Sequence, residues 1–370
     1  MSNKALFKPL QIGPITLTHR IAMAPLTRLR ASPTRAPTPL MQEYYTQRAS
    51  FPGTLLISEG TIVSAVSCGG FPHAPGIWSE EQVAAWKEIT DAVHEKESFI
   101  FCQLFAMGRA ANAITALEEG IEVVAPSAIA KDDDEGTTVP RAMTVTEIKQ
   151  AVEDFAIAAR NAIRAGFDGV EVHGANGYLT DQFLQDVSNT RDDEYGGSVE
   201  NRSRFLYEVL NAVVDAVGAE RVGLRLSPWS RFAGMGMRDP IPQFSDIILK
   251  AKVLDLAYLH LVEGRIDGAE DADRPGGLNF AYKIWDRPVL VAGGYTPERA
   301  RRLAEEEYPD KDIVVVFGRH FISNPDLVYR VREGLELAKY DRKTFYVNSD
   351  VGYVDYPFSA EYLSNVEARA

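Results

Sequence analysis

Residues 166–183 read "GFDGVEVHGANGYLTDQF". The apolar run from Val170 to Val172 has the character of a buried strand. It breaks at once into His173, Gly174, Ala175, Asn176, Gly177 and Tyr178. A tight turn needs the glycines and can use the asparagine, since both tolerate a left-handed backbone. It needs neither the histidine nor the tyrosine. Imidazole and amide side chains donate and accept hydrogen bonds, and a phenol can also give up a proton. The three together suit a polar ligand or a proton transfer. Taken alone, a tyrosine two residues past a turn is more often a core residue with a tethered hydroxyl.

Such a loop must be carried by a frame. Short β-branched apolar runs recur at 20–24, 55–59, 99–104, 169–172, 222–226, 258–262, 289–292 and 313–317. Between and after them lie amphipathic stretches near 39–50, 80–96, 146–165, 198–217, 243–254, 297–307 and 325–338. In the stretch 146–165, Ile148, Val152, Phe155, Ala159 and Ile163 recur three or four apart, as one buried helical face requires. Thr144 with Glu147, and Ser198 after "YGG", have capping character. Strands alternating with helices specify an α/β fold with a parallel sheet. Eight strands are the number that closes a (β/α)₈ TIM barrel, and the length allows for insertions. An open doubly wound sheet is the alternative, but no Gly-x-Gly-x-x-Gly follows the first strand. We expect a single domain over 1–370. It has a lid insertion at 105–143, which includes the polar run Lys131 to Glu135, and a tail at 335–370 that packs back on the barrel.

Composition narrows the class. The 370 residues carry a net charge of −13, which argues against a polyanion binder and so against a nucleic-acid partner. Two cysteines, Cys68 and Cys102, exclude a disulfide framework and a paired-cysteine zinc site. Six scattered histidines without a His-Glu-x-x-His pattern point to no metal. The start "MSNKALFKPLQIG" lacks a charged-then-apolar layout, and no apolar run reaches the ~18 residues of a membrane span. A cytoplasmic protein with no membrane partner is expected.

In a closed barrel the active site sits where the strands end. Those ends carry Pro25-Leu26-Thr27, Glu59-Gly60, Gln103, Arg225, Gly293-Gly294 and Gly318-Arg319. Thr27 and Gly60 could simply serve turns. Gln103 inside "FIFCQLF" and Arg225 inside "VGLRLSP" are harder to dismiss, because an unpaired buried amide costs about 1–3 kcal/mol and a buried guanidinium demands a partner. The glycines after strands seven and eight, with Arg319, offer backbone N–H groups and a cation where barrels often bind phosphate. The residues therefore point to a phosphate-bearing cofactor whose polar edge meets Thr27, Gln103 and Arg225. They do not separate a flavin from pyridoxal phosphate or a sugar phosphate. No lysine stands at a strand end, which disfavours Schiff-base chemistry.

Five segments then carry a resemblance. "APLTRLRA" (24–31), "HGANGYLTDQFL" (173–184), "TRDDEYGGSVENRSRF" (190–205), "FGRHFISNPDLVYR" (317–330) and "KYDRKTFY…GYVDYP" (339–357) resemble the Old Yellow Enzyme family of FMN-dependent ene-reductases. They are most similar to its fungal and plant-type branch, which includes oxophytodienoate reductases and ergot-pathway aldehyde reductases. The matches run in order over nearly the whole chain. The resemblance implies a (β/α)₈ barrel, noncovalent FMN, and NADPH or NADH as reductant in ping-pong kinetics. It implies that Pro25, Leu26 and Thr27 line the flavin, that Gly60 approaches it by backbone, and that Gln103 and Arg225 meet its pyrimidine edge. Gly293, Gly294, Gly318 and Arg319 would hold the phosphate, and Phe345 and Tyr346 would close one side of the site.

The resemblance also assigns the opening loop. His173 and Asn176 would donate hydrogen bonds to the carbonyl oxygen of an α,β-unsaturated substrate, and Tyr178 would protonate the α-carbon. Many relatives carry a tryptophan where this chain has Phe105, which strand alternation places beside Gln103 and facing the substrate. The lid has no clean family match. Three other readings stay open: an alkene isomerase with no net redox change, a non-catalytic flavin-binding protein, and an unrelated phosphate-binding barrel. A monomer and a homodimer are both compatible with the chain.

Overall fold

The computed structural model describes residues 5–131, 138–267, 270–271 and 276–368. Eight strands form its centre: β1 Ile21–Met23, β2 Leu55–Ile57, β3 Phe99–Phe105, β4 Gly169–Gly174, β5 Val222–Leu226, β6 Tyr258–Val262, β7 Val289–Ala292 and β8 Ile313–Phe317. Each pairs in parallel with the next. β8 pairs back onto β1, with Val315 opposite Ile21, so the sheet closes into the expected (β/α)₈ barrel.

The principal helices after successive strands are α1 Pro39–Arg48, α2 Glu80–His94, α3 Val145–Arg164, α4 Val199–Val217, α5 Ile241–Val253, α6 Asn279–Ile284, α7 Pro297–Arg302 and α8 Leu327–Glu333. α3 starts where Thr144 and Glu147 cap each other. The Thr144 hydroxyl accepts from the Glu147 N–H at 3.2 Å, and the Glu147 carboxylate accepts from the Thr144 N–H at 2.7 Å. Ser198 caps α4 through the Asn201 N–H. Two elements depart from expectation. α6 has only six residues, too few for a helical period to show in sequence. The stretch 297–307 is a short α-helix that relaxes into a π-helical turn over Leu303–Glu307.

Side-chain alternation divides the core in two. Outward residues such as Val170, Val172 and Leu224 pack under the helices with Phe155, Phe205 and Phe244. Inward residues Ala22, Leu55, Ile57, Phe101, Tyr258, Leu290 and Val314 fill the lower barrel. A hairpin of two three-residue strands, Leu10–Ile12 and Ile15–Leu17, stops its floor with Leu10, Ile12, Ile15 and Leu17. At roughly 1.5–3 kcal/mol per buried aliphatic side chain, this plug stabilises by several kcal/mol. It also keeps water from the polar residues one layer above. Three-residue strands leave almost no periodic signal, which is why the hairpin was not legible.

Between β3 and α3 the chain forms a turn at Gly108–Ala110, a helix at Ala113–Glu118, and a two-residue pairing of Val124–Ala125 with Arg141–Ala142. The acidic residues 132–135 singled out in sequence lie outside the described residues. Among the described residues no helix is long and apolar enough to cross a membrane. After α8 the tail returns across the segment that follows β1. Arg28 and Arg30, both fully buried, donate to the Phe345 carbonyl at 3.1 and 2.8 Å. Arg28 also reaches the Gly352 carbonyl, and Arg30 those of Thr344 and Ser349. Arg48 from α1 binds the Tyr353 carbonyl at 2.9 Å.

Candidate active site

One layer above the apolar floor, the inward positions turn polar. β3 contributes Gln103, β4 Glu171 and His173, β5 Arg225, and β6 His260, all buried. Register sets Gln103 opposite Glu171, and His173 opposite Arg225, which in turn faces His260. The Glu171 carboxylate accepts hydrogen bonds from Gln103 Nε2 at 2.8 Å, the Tyr258 hydroxyl at 3.0 Å and His260 Nδ1 at 2.8 Å. Burial works against its charge, but His260, Arg225 and the Gln103 amide outweigh burial and hold its pKa below the usual range. Burial keeps the His260 imidazole neutral, so it serves as a plain N–H donor.

The loop after β4 sits at the barrel mouth. Asn176 and Gly177 both adopt left-handed backbone, with φ of 56° and 71°. Asparagine tolerates that region, and at Gly177 a Cβ would also meet the Ala233 methyl at 2.7 Å. The turn is tied from several sides. The Asn176 N–H donates to Ser227 Oγ and the Gly177 N–H to Asp181 Oδ2, each at 2.9 Å. Gln182 Nε2 donates to the Gly177 carbonyl at 2.7 Å, and the Thr180 hydroxyl to the His173 carbonyl.

This framework gathers Phe105, His173 and Tyr178 into one cluster. The Tyr178 ring centroid lies 5.0 Å from both His173 and Phe105. Burial, with Arg225 adding to it, pushes the His173 pKa well below its usual value, so the ring is uncharged. Burial and the neighbouring Tyr346 push the Tyr178 hydroxyl well above the ordinary phenol range, against a smaller opposing pull from Arg225. Tyr346 is 53% exposed, on the tail side of the cluster.

The remaining strand-end residues divide. Pro25, Leu26 and Thr27 are half-buried beyond β1. Leu26 is the nearest side chain to Gly318, where an added Cβ would find nothing closer than 3.5 Å. A Cβ at Gly60 would come within 3.1 Å of the Phe105 ring. Gly293 is packed against Glu263, while Gly294 is exposed with φ of 64°. Arg319 is engaged by Asp271, at 2.6 and 3.2 Å, and stacks near Tyr340 of the tail. It is thus tied at the rim, to an acid that the sequence reading had not connected with it. In contrast, Arg225 Nε and His173 Nδ1 are buried and have no hydrogen-bond partner among the described residues. The side-chain hydrogen bond of Gln103 uses its Nε2 and not its Oε1.

Residues 5–338 match the model of the NADH:flavin oxidoreductase / NADH oxidase family. The chain belongs to that family. The resemblance to Old Yellow Enzyme proteins, read from five motifs, therefore holds. A chanoclavine-I aldehyde reductase of Penicillium roqueforti is 54% identical over 369 residues, 99% of either chain. A protein of Epichloe festucae var. lolii named a probable inactive reductase is 49% identical over 380 residues, covering 100% of this chain and 99% of its own. The solved old yellow enzyme homologue of Zymomonas mobilis superposes with a TM-score of 0.88 at 42% identity, over 95% of this chain and 99% of that one.

As a member of the family the protein is an FMN-dependent oxidoreductase, and the orphaned polar atoms fit that cofactor. A flavin's pyrimidine edge offers carbonyl acceptors and one imide N–H donor. Arg225 supplies an unpaired buried donor, and the side-chain oxygen of Gln103, whose nitrogen is turned to Glu171, can supply an acceptor. Glu171, Tyr258 and His260 were not singled out in sequence. Glu171 lies two residues before His173 on one strand, and His260 stands inside the apolar "YLHLV". Alternation alone would have put both inside the barrel.

Proposed function

We propose that this flavoenzyme uses NAD(P)H to reduce the carbon–carbon double bond of α,β-unsaturated carbonyl compounds. The observation that carries the reading is the cluster of neutral His173 against Tyr178, on a loop shared with Asn176. FMN, when bound, would supply the hydride chemistry that connects NAD(P)H to the β-carbon of the substrate. His173 and Asn176 donate hydrogen bonds to the substrate carbonyl oxygen and stabilise the negative charge that builds there, as an oxyanion hole does. A neutral imidazole suits this task, since it donates without surrendering its proton. Tyr178 retains its proton at neutral pH and gives it to the α-carbon. Pro25, Leu26, Thr27, Gly60, Gln103 and Arg225 would hold the ring system, and Gly293, Gly294, Gly318 and Arg319 the phosphate. Arg319 would have to share itself with Asp271 or leave it. Phe105 and Tyr346 would flank the substrate.

The Penicillium relative's name makes aldehydes the first carbonyl compounds to try, and the proposed chemistry selects α,β-unsaturated ones, beside cyclic enones. The Epichloe relative's name makes a silent member a real alternative, and the complete His173, Asn176 and Tyr178 set speaks against it here. An alkene isomerase would have no use for the proton that Tyr178 offers. We place the protein in the cytoplasm, as monomer or homodimer, with free buried Cys68 and Cys102 and no nucleic-acid or membrane partner.

The test is anaerobic. One equivalent of NADPH added to FMN-loaded protein should bleach the yellow band, and 2-cyclohexenone should restore it. Counting NADPH consumed per product separates reduction from isomerisation. Bleaching that no enone or enal reverses would discard the ene-reductase reading.

A further inference from the structure

Glu171 is completely buried, yet it belongs to neither the substrate cluster nor the apolar core. Its carboxylate takes three hydrogen bonds, from residues 68, 87 and 89 positions away, on β3 and β6. Arg225, on the strand beside it, contributes compensating charge. An acid so placed is expensive to desolvate, and a hydrophobic residue of equal volume would serve the barrel core as well. Its position between Gln103 and Arg225 is what sets it apart.

We propose that Glu171 is a positioning residue for the cofactor. It fixes which end of the Gln103 amide faces FMN, and its charge offsets that of Arg225. The inference rests on the reading of this layer as the FMN pyrimidine site. An ionised carboxylate only accepts hydrogen bonds, so the amide nitrogen of Gln103 must turn to Glu171. The carbonyl oxygen is then left as an acceptor for the imide N–H. An untethered amide could turn over and set its own N–H against that donor. The charge has a separate effect. A lone guanidinium at the pyrimidine edge favours the reduced, more negative cofactor, and the Glu171 carboxylate opposes it.

The two roles come apart in three variants of the full chain. Each is titrated with FMN after stripping, and its midpoint potential is measured when loaded. Glu171→Asp keeps the charge but retracts it from Gln103. FMN affinity should fall about tenfold, the worth of one hydrogen bond, while the potential stays near wild type. Gln103→Leu should weaken FMN similarly, and the double variant should be no weaker than either single one, because both remove the same contact. Glu171→Gln removes the charge and should move the potential to more positive values.

Additive losses in the double variant, or wild-type affinity in Glu171→Asp, would overturn the positioning role. An unchanged potential in folded Glu171→Gln would overturn the charge role. Should Glu171→Gln fail to fold, the Asp and Leu cycle still decides the positioning. Wild-type protein that takes up no FMN overturns both this inference and the site reading beneath it. Normal uptake with a failed cycle overturns the inference alone.

Discussion

The rings of His173 and Tyr178 stand 5.0 Å apart, crossed at 64°. The two lie on opposite arms of one left-handed turn, and the ties from Ser227, Asp181 and Gln182 leave that turn little freedom. The donor we propose for the carbonyl oxygen and the one we propose for the α-carbon are thus held at a fixed separation before any substrate arrives. Their chemical tasks differ, so they should fail differently.

Replacing Tyr178 by Phe removes the acid and keeps the ring that packs on His173 and Phe105. Enone reduction should slow by about 10²–10⁴-fold. The bleaching step with NADPH, followed by stopped flow, should keep its rate. Equal slowing of both half-reactions would show that Tyr178 merely shapes the pocket.

Arg225 is buried with an unpaired Nε, so FMN should stabilise the protein partly through it. At a hundredfold excess over Kd, ligand contributes about 2.7 kcal/mol, or about 3–4 °C in Tm for a chain of this length. Stripping FMN should lower Tm by that amount. In Arg225→Gln the FMN-dependent increment at the same concentration should shrink by at least half. An undiminished increment would remove Arg225 from the cofactor site.

Asp181 holds the Gly177 N–H from a fully buried position, and burial raises its pKa from 3.8 to about 6. Between those values the unfolded chain loses the proton first, so stability falls as pH rises and the loss is complete above about 6. Asp181→Asn removes that charge and keeps an oxygen for Gly177. Its Tm should match wild type near pH 4 and exceed it above pH 6, by no more than the equivalent of about 3 kcal/mol. A difference that does not change with pH would refute the assignment.

Arg30 holds the carbonyls of Thr344, Phe345 and Ser349, the stretch that carries Tyr346. Arg30→Met should cost about 2–4 kcal/mol of stability and expose residues 341–357 to protease before the barrel is cut. An unchanged cleavage pattern would mean that Arg28 and Arg48 suffice.

The barrel was legible because its strands are β-branched runs separated by amphipathic stretches, and their ends fall within two residues of expectation. The hairpin at Leu10–Leu17 and the helix α6 were not, since three- and six-residue elements carry no period. Gln103, His173 and Arg225 stood out as polar interruptions of apolar runs. Glu171 had the same signal in "GVEV", but its importance lies in partners 68 and 89 residues away, which one strand cannot reveal. Asp271 escaped for a related reason: it reaches Arg319 from a segment without pattern.

The tail carbonyls that satisfy Arg28 and Arg30 come from residues 314 to 324 positions later. On the ribosome, the first wall of the site is therefore made more than 300 residues before the last. Until the tail is made, Arg28, Arg30 and Arg48 lack the tail carbonyls that receive them in the folded protein. The barrel's strands can all have emerged while its mouth is still open on the side of Tyr346. Completion of the site is a late event in the life of each molecule, and a ribosome that stalls before the tail releases a barrel with an unfinished pocket.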